Sequence, residues 1–184
     1  MHAITYLAET TTIAQNLDPF EIEALATELH KVSGKIYIIG LGGSMANALH
    51  MAADFCKLCE LNAEAFCNIA EITARANDEG FVTIFNGWLK RMTDKDALFV
   101  LSVGGGTDKV SIAIKECVLY AKIVGAKVFG IVGPNGGITA QHGDVVIKIP
   151  TPMDRITPHT EAFQMVISHA LVCHPLLQKK AMVW

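Results

Sequence analysis

The chain has 184 residues, which is enough for one domain with a full hydrophobic core. Its formal net charge is −3, charged residues make up 18%, and no basic run or patch occurs, so nucleic acid is not the expected partner. No uncharged apolar stretch approaches the ~18 residues of a membrane span, and no basic segment precedes an apolar one at the N-terminus. We therefore predict neither a membrane partner nor a signal peptide.

The cysteines and the apolar content bear on compartment and assembly. Five cysteines without the spacing of a disulfide framework are expected of reduced thiols, so we predict a cytoplasmic protein. Cys56 and Cys59 spell CxxC, but no second pair completes a zinc set, and we interpret them as packing residues. Apolar residues make up 51% and the mean hydropathy is +0.36, which predicts apolar surface buried between subunits.

Residues 1–33 predict two helices that precede the first strand. The separator is Asn16–Pro19, in which Asp18 is a typical helix N-cap and Pro19 suits the first helical position. The second helix is expected to end near Ser33. A helical pair outside the alternation of strands and helices is typical of packing or subunit assembly.

The stretch 35–55 combines a strand, a glycine turn and a helix. The apolar run Ile36–Ile39 predicts a strand buried on both faces, and Ser44 is positioned to cap the helix that follows. Between them, three glycines allow a sharp turn and close approach of another molecule: Gly40, Gly42 and Gly43. Such a turn presents unpaired N–H groups, which suits an anionic or polyhydroxylated ligand.

His50 and Asp54 stand four residues apart on that predicted helix. Both side chains therefore leave the same face of the helix and lie close together. Metal ligands and acid/base pairs both use this spacing. An ordinary α/β turn followed by a polar-faced helix has the same pattern, so the spacing alone leaves both interpretations open.

The rest of the chain alternates between strands and helices. We predict strands at 65–69, 97–102, 127–132 and 144–149, helices at 81–92, 108–124, 138–142 and 158–174, a break at 77–80 and a second glycine turn at 103–107. This alternation predicts an α/β fold, a doubly wound five-stranded parallel sheet with an N-terminal helical pair. Ligands of such sheets bind beyond the carboxyl ends of the strands, where both glycine turns lie.

A nucleotide cofactor is not expected. The segment Gly40–Met45 lacks the third glycine of the dinucleotide fingerprint, and no acidic residue ends a second strand where a ribose would need it. The phosphate-binding loop of nucleoside triphosphatases is absent as well.

Several segments together resemble sugar isomerase (SIS) domains, and most closely the phosphoheptose isomerases. The segments are Gly40–Ser44, similar to the family's GNGGS, together with Ala48–Asp54, Asn77–Asp78, Ser102–Thr107 and Thr157–His169. The resemblance covers about residues 35–170 and includes the helical pair. It implies that residues 1–184 form a single SIS domain in which residues 1–33 serve assembly.

The resemblance also implies a site and an activity. It implies a zinc ion held by His50, Asp54, Glu161 and His169, with Asp54 and His169 as acid and base. It implies substrate and phosphate contacts from Gly42, Gly43, Ser44, Asn77, Asp78, Ser102, Gly104, Thr107 and Glu161. The implied reaction converts sedoheptulose 7-phosphate to a heptose 7-phosphate through an enediolate, in a homotetramer with sites between subunits. Imidazole and carboxylate are normal zinc ligands, and zinc can polarise a carbonyl.

The chain departs from the family pattern at the site. Asp54 replaces a glutamate, Glu161 replaces a glutamine, and Val103 and Gly104 replace a threonine and a serine. Metal binding is therefore expected to be kept or reinforced, whereas the sugar and phosphate contacts are altered. An alternative is a non-catalytic SIS module that binds a partner protein, as adaptors of the replication initiator do in this family, or that senses a sugar phosphate.

One geometric problem concerns the ligands from the last helix. Glu161 and His169 are eight residues apart, which is about 12 Å along a regular helix. Either Glu161 precedes the regular helix, or one ligand comes from a neighbouring subunit. Structural roles, a core histidine at His169 and a first-turn charge at Glu161, stay open as well.

Overall fold

The computed structural model of the chain describes residues 1–183. Five strands form one sheet: β1 (Ile36–Ile39), β2 (Ala63–Ala65), β3 (Ala97–Ser102), β4 (Lys127–Val132) and β5 (Val145–Lys148). The strand order is β2-β1-β3-β4-β5, and every pair of neighbours is parallel. The predicted α/β fold with a five-stranded parallel sheet is confirmed.

Eight α-helices surround the sheet within the described residues. They are α1 (His2–Asn16), α2 (Pro19–His30), α3 (Gly43–Cys59), α4 (Ile69–Asp78), α5 (Asn86–Leu89), α6 (Ile112–Ile123), α7 (Gly137–His142) and α8 (Ile156–Val172). The predicted N-terminal pair is present, and the Asp18 carboxylate accepts from the Phe20 N–H at 2.9 Å, as a helix cap does. None of the helices in residues 1–183 has the length and apolarity to span a membrane.

Helices cover both faces of the sheet, so successive strand residues enter different cores. Phe99 and Leu101 of β3 face the core shared with α2, α3 and α8. Leu98 and Val100 face the second core, to which α5 and α6 contribute. Because both faces are buried, the central strands carry the continuous apolar runs from which they were predicted. Of the CxxC pair, Cys59 lies in the first core and Cys56 is exposed.

The predicted second strand and the break after it are wrong in position. The strand is Ala63–Ala65 rather than 65–69, and residues 69–78 form α4, so the predicted break at 77–80 begins inside a helix. The Asn68 side chain accepts from the Glu71 N–H at 3.2 Å and starts that helix. The edge strand has only three residues, so its apolar pattern is too short to locate it from the sequence, whereas the Asn68 cap is a specific signal for a helix.

Two predicted helices are shorter or broken. The segment 81–92 contains a 3₁₀ turn at Phe81–Thr83 and the four-residue α5 instead of one helix. Gly80, just before the 3₁₀ turn, has φ +92°, which is not a helical conformation. The helix predicted from residue 108 begins at Ile112. The Thr107 hydroxyl accepts from the N–H groups of residues 109 and 110, which forms a turn, and Ser111 is left-handed at φ +56°.

The last two predicted elements lie close to their expected places. The short helix and β5 agree with 138–142 and 144–149 to within one or two residues. Helix α8 begins two residues earlier than predicted, with Pro158 in its first turn, where a helix needs no N–H from that residue. It ends at Val172 rather than at 174.

Candidate functional site

Helices α3 and α8 pack side by side and bring together His50, Asp54 and His169, which we call the His–Asp–His trio. One Asp54 carboxylate oxygen (Oδ2) lies 3.3 Å from His50 Nε2 and 3.7 Å from His169 Nε2. The two imidazole rings meet edge to face, with centroids 5.3 Å apart. One ligand atom from each side chain lies within 4.8 Å of the other two. The predicted i, i+4 pair thus meets a histidine from a distant part of the chain.

The trio is open to solvent and has the donors that zinc prefers. The side chains of His50 and His169 are 55% and 50% exposed, whereas that of Asp54 is 21% exposed. Two imidazole nitrogens and one carboxylate oxygen are the three protein ligands of many catalytic zinc sites, which keep a further position for water or substrate. The donor set therefore fits the predicted zinc ion.

Glu161 does not join the trio within one subunit. Its carboxylate lies against Gly43 in the first turn of α3, where a side chain on Gly43 would collide with it. Helix α8 already begins at Ile156, so Glu161 does not precede the regular helix. The start of the helix therefore excludes the first of the two ways in which Glu161 could reach the ion, whereas contact across a subunit boundary and a purely structural role for its charge both stay predictions.

Two polar residues that the sequence analysis did not select hold α3 and α8 together. The Asn47 amide donates to the Glu161 carbonyl oxygen at 2.8 Å and to Gln164 Oε1 at 3.0 Å. Gln164 is fully buried and donates to the Ile131 carbonyl oxygen at 3.5 Å. Asn47 precedes His50 by three residues and so shares the helix face of the predicted pair, which was the one signal for it in the sequence. These bonds fix the register in which His169 faces Asp54.

The first glycine turn starts α3 without a side-chain cap. Gly42, at φ +60°, is the N-cap residue, and no side chain caps it. The prediction of Ser44 as the cap is wrong, because Ser44 lies inside the first helical turn. Its buried hydroxyl has no hydrogen-bond partner within residues 1–183. No side chain therefore occupies the first helix N–H groups, and their use by an anionic or hydroxylated ligand stays a prediction.

Hydrogen bonds from within the second glycine turn and from Thr139 of α7 hold that turn in place. The Ser102 hydroxyl accepts from the Gly105 N–H at 3.1 Å, and the Thr139 hydroxyl donates to the Gly105 carbonyl oxygen at 2.8 Å. The Thr107 hydroxyl is occupied within its own turn, whereas Gly104 faces open space. The glycine turn predicted at 103–107 is present, and two of its hydroxyls, those of Ser102 and Thr107, already take part in hydrogen bonds within the turn.

Asn77 and Asp78 lie in the last turn of α4 and so on neither of the two helices that carry the trio. The Asn77 amide donates to the Asp78 carboxylate at 2.8 Å, and both side chains are exposed. The first glycine turn is also distant from the trio. Gly43 is seven residues from His50 and eleven from Asp54, which is roughly 10 to 16 Å along the helix. The predicted site residues therefore do not all meet at one place within the chain.

A separate cluster joins α1 to the start of α8. Arg155 donates two hydrogen bonds to the Glu9 carboxylate, at 2.8 and 2.6 Å, and buried His159 lies 3.0 Å from the same carboxylate. The Tyr6 ring stacks on His159 with centroids 4.3 Å apart. The Arg155 hydrogen bonds, and then that of His159, lower the pKa of Glu9 from 4.5 to about 2. The cluster fixes the N-terminal helical pair to the helix that carries His169.

Replacing Glu9 by glutamine is expected to lower the melting temperature at neutral pH. The pKa of Glu9 is lower in the folded state, so its stabilisation is complete above about pH 4.5 and is lost as pH falls toward about 2. Melting curves of the parent and Glu9→Gln should therefore differ at pH 7 and converge at acidic pH. Glu23→Gln is the matched control, because Glu23 also meets a histidine, His174 at 2.9 Å, but is 66% exposed. An equal loss in both variants would contradict the prediction.

The fold and the site together define a doubly wound α/β protein with a candidate metal centre on two packed helices and glycine turns suited to an anionic ligand. The chain belongs to the SIS domain family, whose model matches residues 6–133. The resemblance predicted from the sequence motifs is thereby confirmed.

Individual relatives and solved structures show which members of the family this chain is similar to. A phosphoheptose isomerase from Syntrophotalea carbinolica is 32% identical over 163 residues, which are 85% of this chain and 79% of the relative. The solved phosphoheptose isomerase of Neisseria gonorrhoeae superimposes with a TM-score of 0.82 at 26% identity, covering 93% of this chain and 96% of that one. That of Francisella tularensis gives 0.76 at 25% identity, covering 93% and 92%.

Proposed function

We propose that this chain is a zinc-dependent ketose–aldose isomerase that converts sedoheptulose 7-phosphate to a heptose 7-phosphate. That it is a sugar-phosphate isomerase rests on its similarity to phosphoheptose isomerases over most of its length. The observation that carries the finer proposal is the trio, in which two histidines and a carboxylate converge from two helices. The same convergence counts against the non-catalytic alternative.

The reaction requires one proton to move between adjacent carbons and another between the oxygens on them. A bound zinc ion would supply polarisation of the sugar carbonyl and stabilisation of the negative charge that develops on it. Asp54 and His169 are the proposed acid and base. The two side chains lie side by side, with Asp54 Oδ2 3.7 Å from His169 Nε2, so one substrate can meet both groups. One removes the proton beside the ketone, and the other returns a proton to the neighbouring carbon.

The proposed phosphate and sugar contacts come from the glycine turns and the residues near them. They are Gly42, Gly43, Ser44, Asn77, Asp78, Ser102, Gly104, Thr107 and Glu161. The separation of the first turn from the trio along α3 supports sites that combine residues of neighbouring subunits. In such an arrangement Glu161 approaches the zinc ion of an adjoining subunit. We also retain the expectation of a cytoplasmic protein.

A homotetramer is the proposed assembly, and the exposed apolar residues of α1 support it. Ile4 and Leu7 are 60% and 64% exposed on that helix. Light scattering at micromolar concentration should give a mass near 80 kDa, which is four times the 19.9 kDa of one chain. A mass near 20 kDa would exclude the tetramer and also sites shared between subunits.

The function is tested by following isomerisation of sedoheptulose 7-phosphate before and after chelation. We expect turnover and stoichiometric zinc in the purified protein, complete loss of turnover after metal removal, and recovery when Zn²⁺ is added back. Other ketose phosphates serve as comparison substrates. Activity that survives complete metal removal would contradict the role of zinc. No turnover of any sugar phosphate, in a protein without bound metal, would favour the non-catalytic alternative.

A further inference from the structure

The chain that follows α8 returns to the end of α3 and is fixed there. Leu177 is buried in the core, at 1% exposure. The backbone N–H groups of Lys179 and Lys180 donate to the Leu58 carbonyl oxygen at 2.8 and 3.0 Å, and the Lys180 ammonium lies 3.0 Å from Glu60. This segment therefore satisfies a carbonyl group that the last turn of a helix leaves unpaired.

The anchored segment brings its last described residues beside the trio. A cleft of about 400 Å³ lies between this segment and the two helices. Its lining combines two members of the trio with one cation and three apolar side chains: Asp54, His169, Lys57, Leu58, Met182 and Val183. Lys57 forms no ion pair with any carboxylate in residues 1–183.

The composition of this cleft is that of a small-molecule site. Ligand pockets of roughly 300–1,000 Å³ are mostly apolar and contain a few polar groups that fix orientation. The C-terminal segment supplies two of the six side chains that line this cleft, and the other four come from the two helices. Of these two side chains, Met182 is the more buried, at 37% exposure against 88% for Val183.

We infer that Met182 is a specificity-determining residue, which closes the far side of the substrate cleft and limits what fits beside Asp54 and His169. This inference rests on the proposed function, because it assigns the cleft to the isomerase substrate. The wall formed by Met182 and Val183 shields His169 from solvent on one side. Lys57 supplies the cleft with a positive charge for an anionic substrate.

Two variants test, without measuring turnover, whether Met182 and Val183 shield His169. The first ends the chain at Lys180, which keeps the anchors at Leu177, Lys179 and Lys180, and the second is Met182→Trp, which fills the cleft. Modification by diethyl pyrocarbonate, measured by mass spectrometry, reports the accessibility of His169 relative to the exposed His142 of α7. We expect the ratio of the two rates to rise at least twofold in the shortened chain and to fall at least twofold in Met182→Trp.

The role in specificity is tested by steady-state kinetics with sedoheptulose 7-phosphate. Met182→Trp should raise KM at least tenfold with a smaller change in kcat, whereas Ile123→Trp, at a remote position that is 82% exposed, should change neither. An unchanged modification ratio in both variants would show that Met182 and Val183 do not shield His169. A changed ratio with unchanged KM would overturn the specificity role. A parent chain without turnover would contradict the proposed function, and the modification ratio would still decide whether the segment is a wall.

Discussion

Replacing His169 by alanine is expected to abolish most activity and most metal binding. The imidazole is proposed both as a zinc ligand and as one of two acid/base groups, and loss of a general acid or base alone lowers kcat by about 10²–10⁴-fold. Loss of a direct ligand should weaken zinc binding at least about a hundredfold, since even partners of the ligands contribute 10–100-fold. The measurements are a zinc titration and initial rates with sedoheptulose 7-phosphate.

Glu161→Gln is the matched control for this experiment. Glu161 lies on the same helix, but its carboxylate is directed at Gly43 and not at the trio of its own subunit. We therefore expect a smaller loss of zinc affinity in Glu161→Gln than in His169→Ala. Unchanged zinc affinity in His169→Ala would show that the trio is not a metal site. Equal losses in the two variants would show that Glu161 is as strong a ligand as His169.

Replacing Gly105 by alanine is expected to destabilise the protein by roughly 2–4 kcal/mol. Gly105 has φ +66°, a conformation that disfavours side chains, and a Cβ there would overlap the Gly136 carbonyl oxygen. The backbone cannot move away freely, because the Gly105 carbonyl oxygen accepts from both the N–H and the hydroxyl of Thr139. Denaturant unfolding measures the loss.

Gly104→Ala provides the matched control in the same turn. Its φ is outside the left-handed region, and a Cβ would meet no atom within 4 Å. We expect its unfolding free energy to stay within about 0.5 kcal/mol of the parent. Equal stability of the Gly105 and Gly104 variants would contradict the turn geometry described above. Because Gly104 is itself a proposed phosphate contact and Gly105 is its neighbour, substrate affinity is to be measured separately from stability.

The sequence alone determined those parts of the fold that local patterns specify. Strands β3 and β4 were predicted at their observed bounds, because each contains a short, almost continuous apolar run, Ala97–Leu101 and Val128–Val132, next to a polar residue. The pair of His50 and Asp54 was predicted to share a helix face from its spacing alone, and the structure places both beside each other.

The sequence prediction was wrong where the local signals for the start of a strand or a helix were weak. Strand β2 has three residues and pairs with β1 alone, so its position depends on the register Ile36↔Ala63, which no local pattern encodes. The N-cap at Asn68 is a local signal that was overlooked. The cap predicted at Ser44 was displaced because Gly42 adopts a left-handed φ that starts the helix two residues earlier.

Only the tertiary structure decided which functional residues meet. His169 reaches Asp54 because Asn47 and Gln164 fix how α8 lies against α3, and neither helix specifies that register by itself. The same packing directs Glu161 to Gly43 and away from the trio, although the family resemblance implied that Glu161 and the trio form one set of ligands. Residues far apart in the chain are brought together by buried contacts between helices, and those contacts depend on side-chain shape and hydrogen bonding rather than on periodicity.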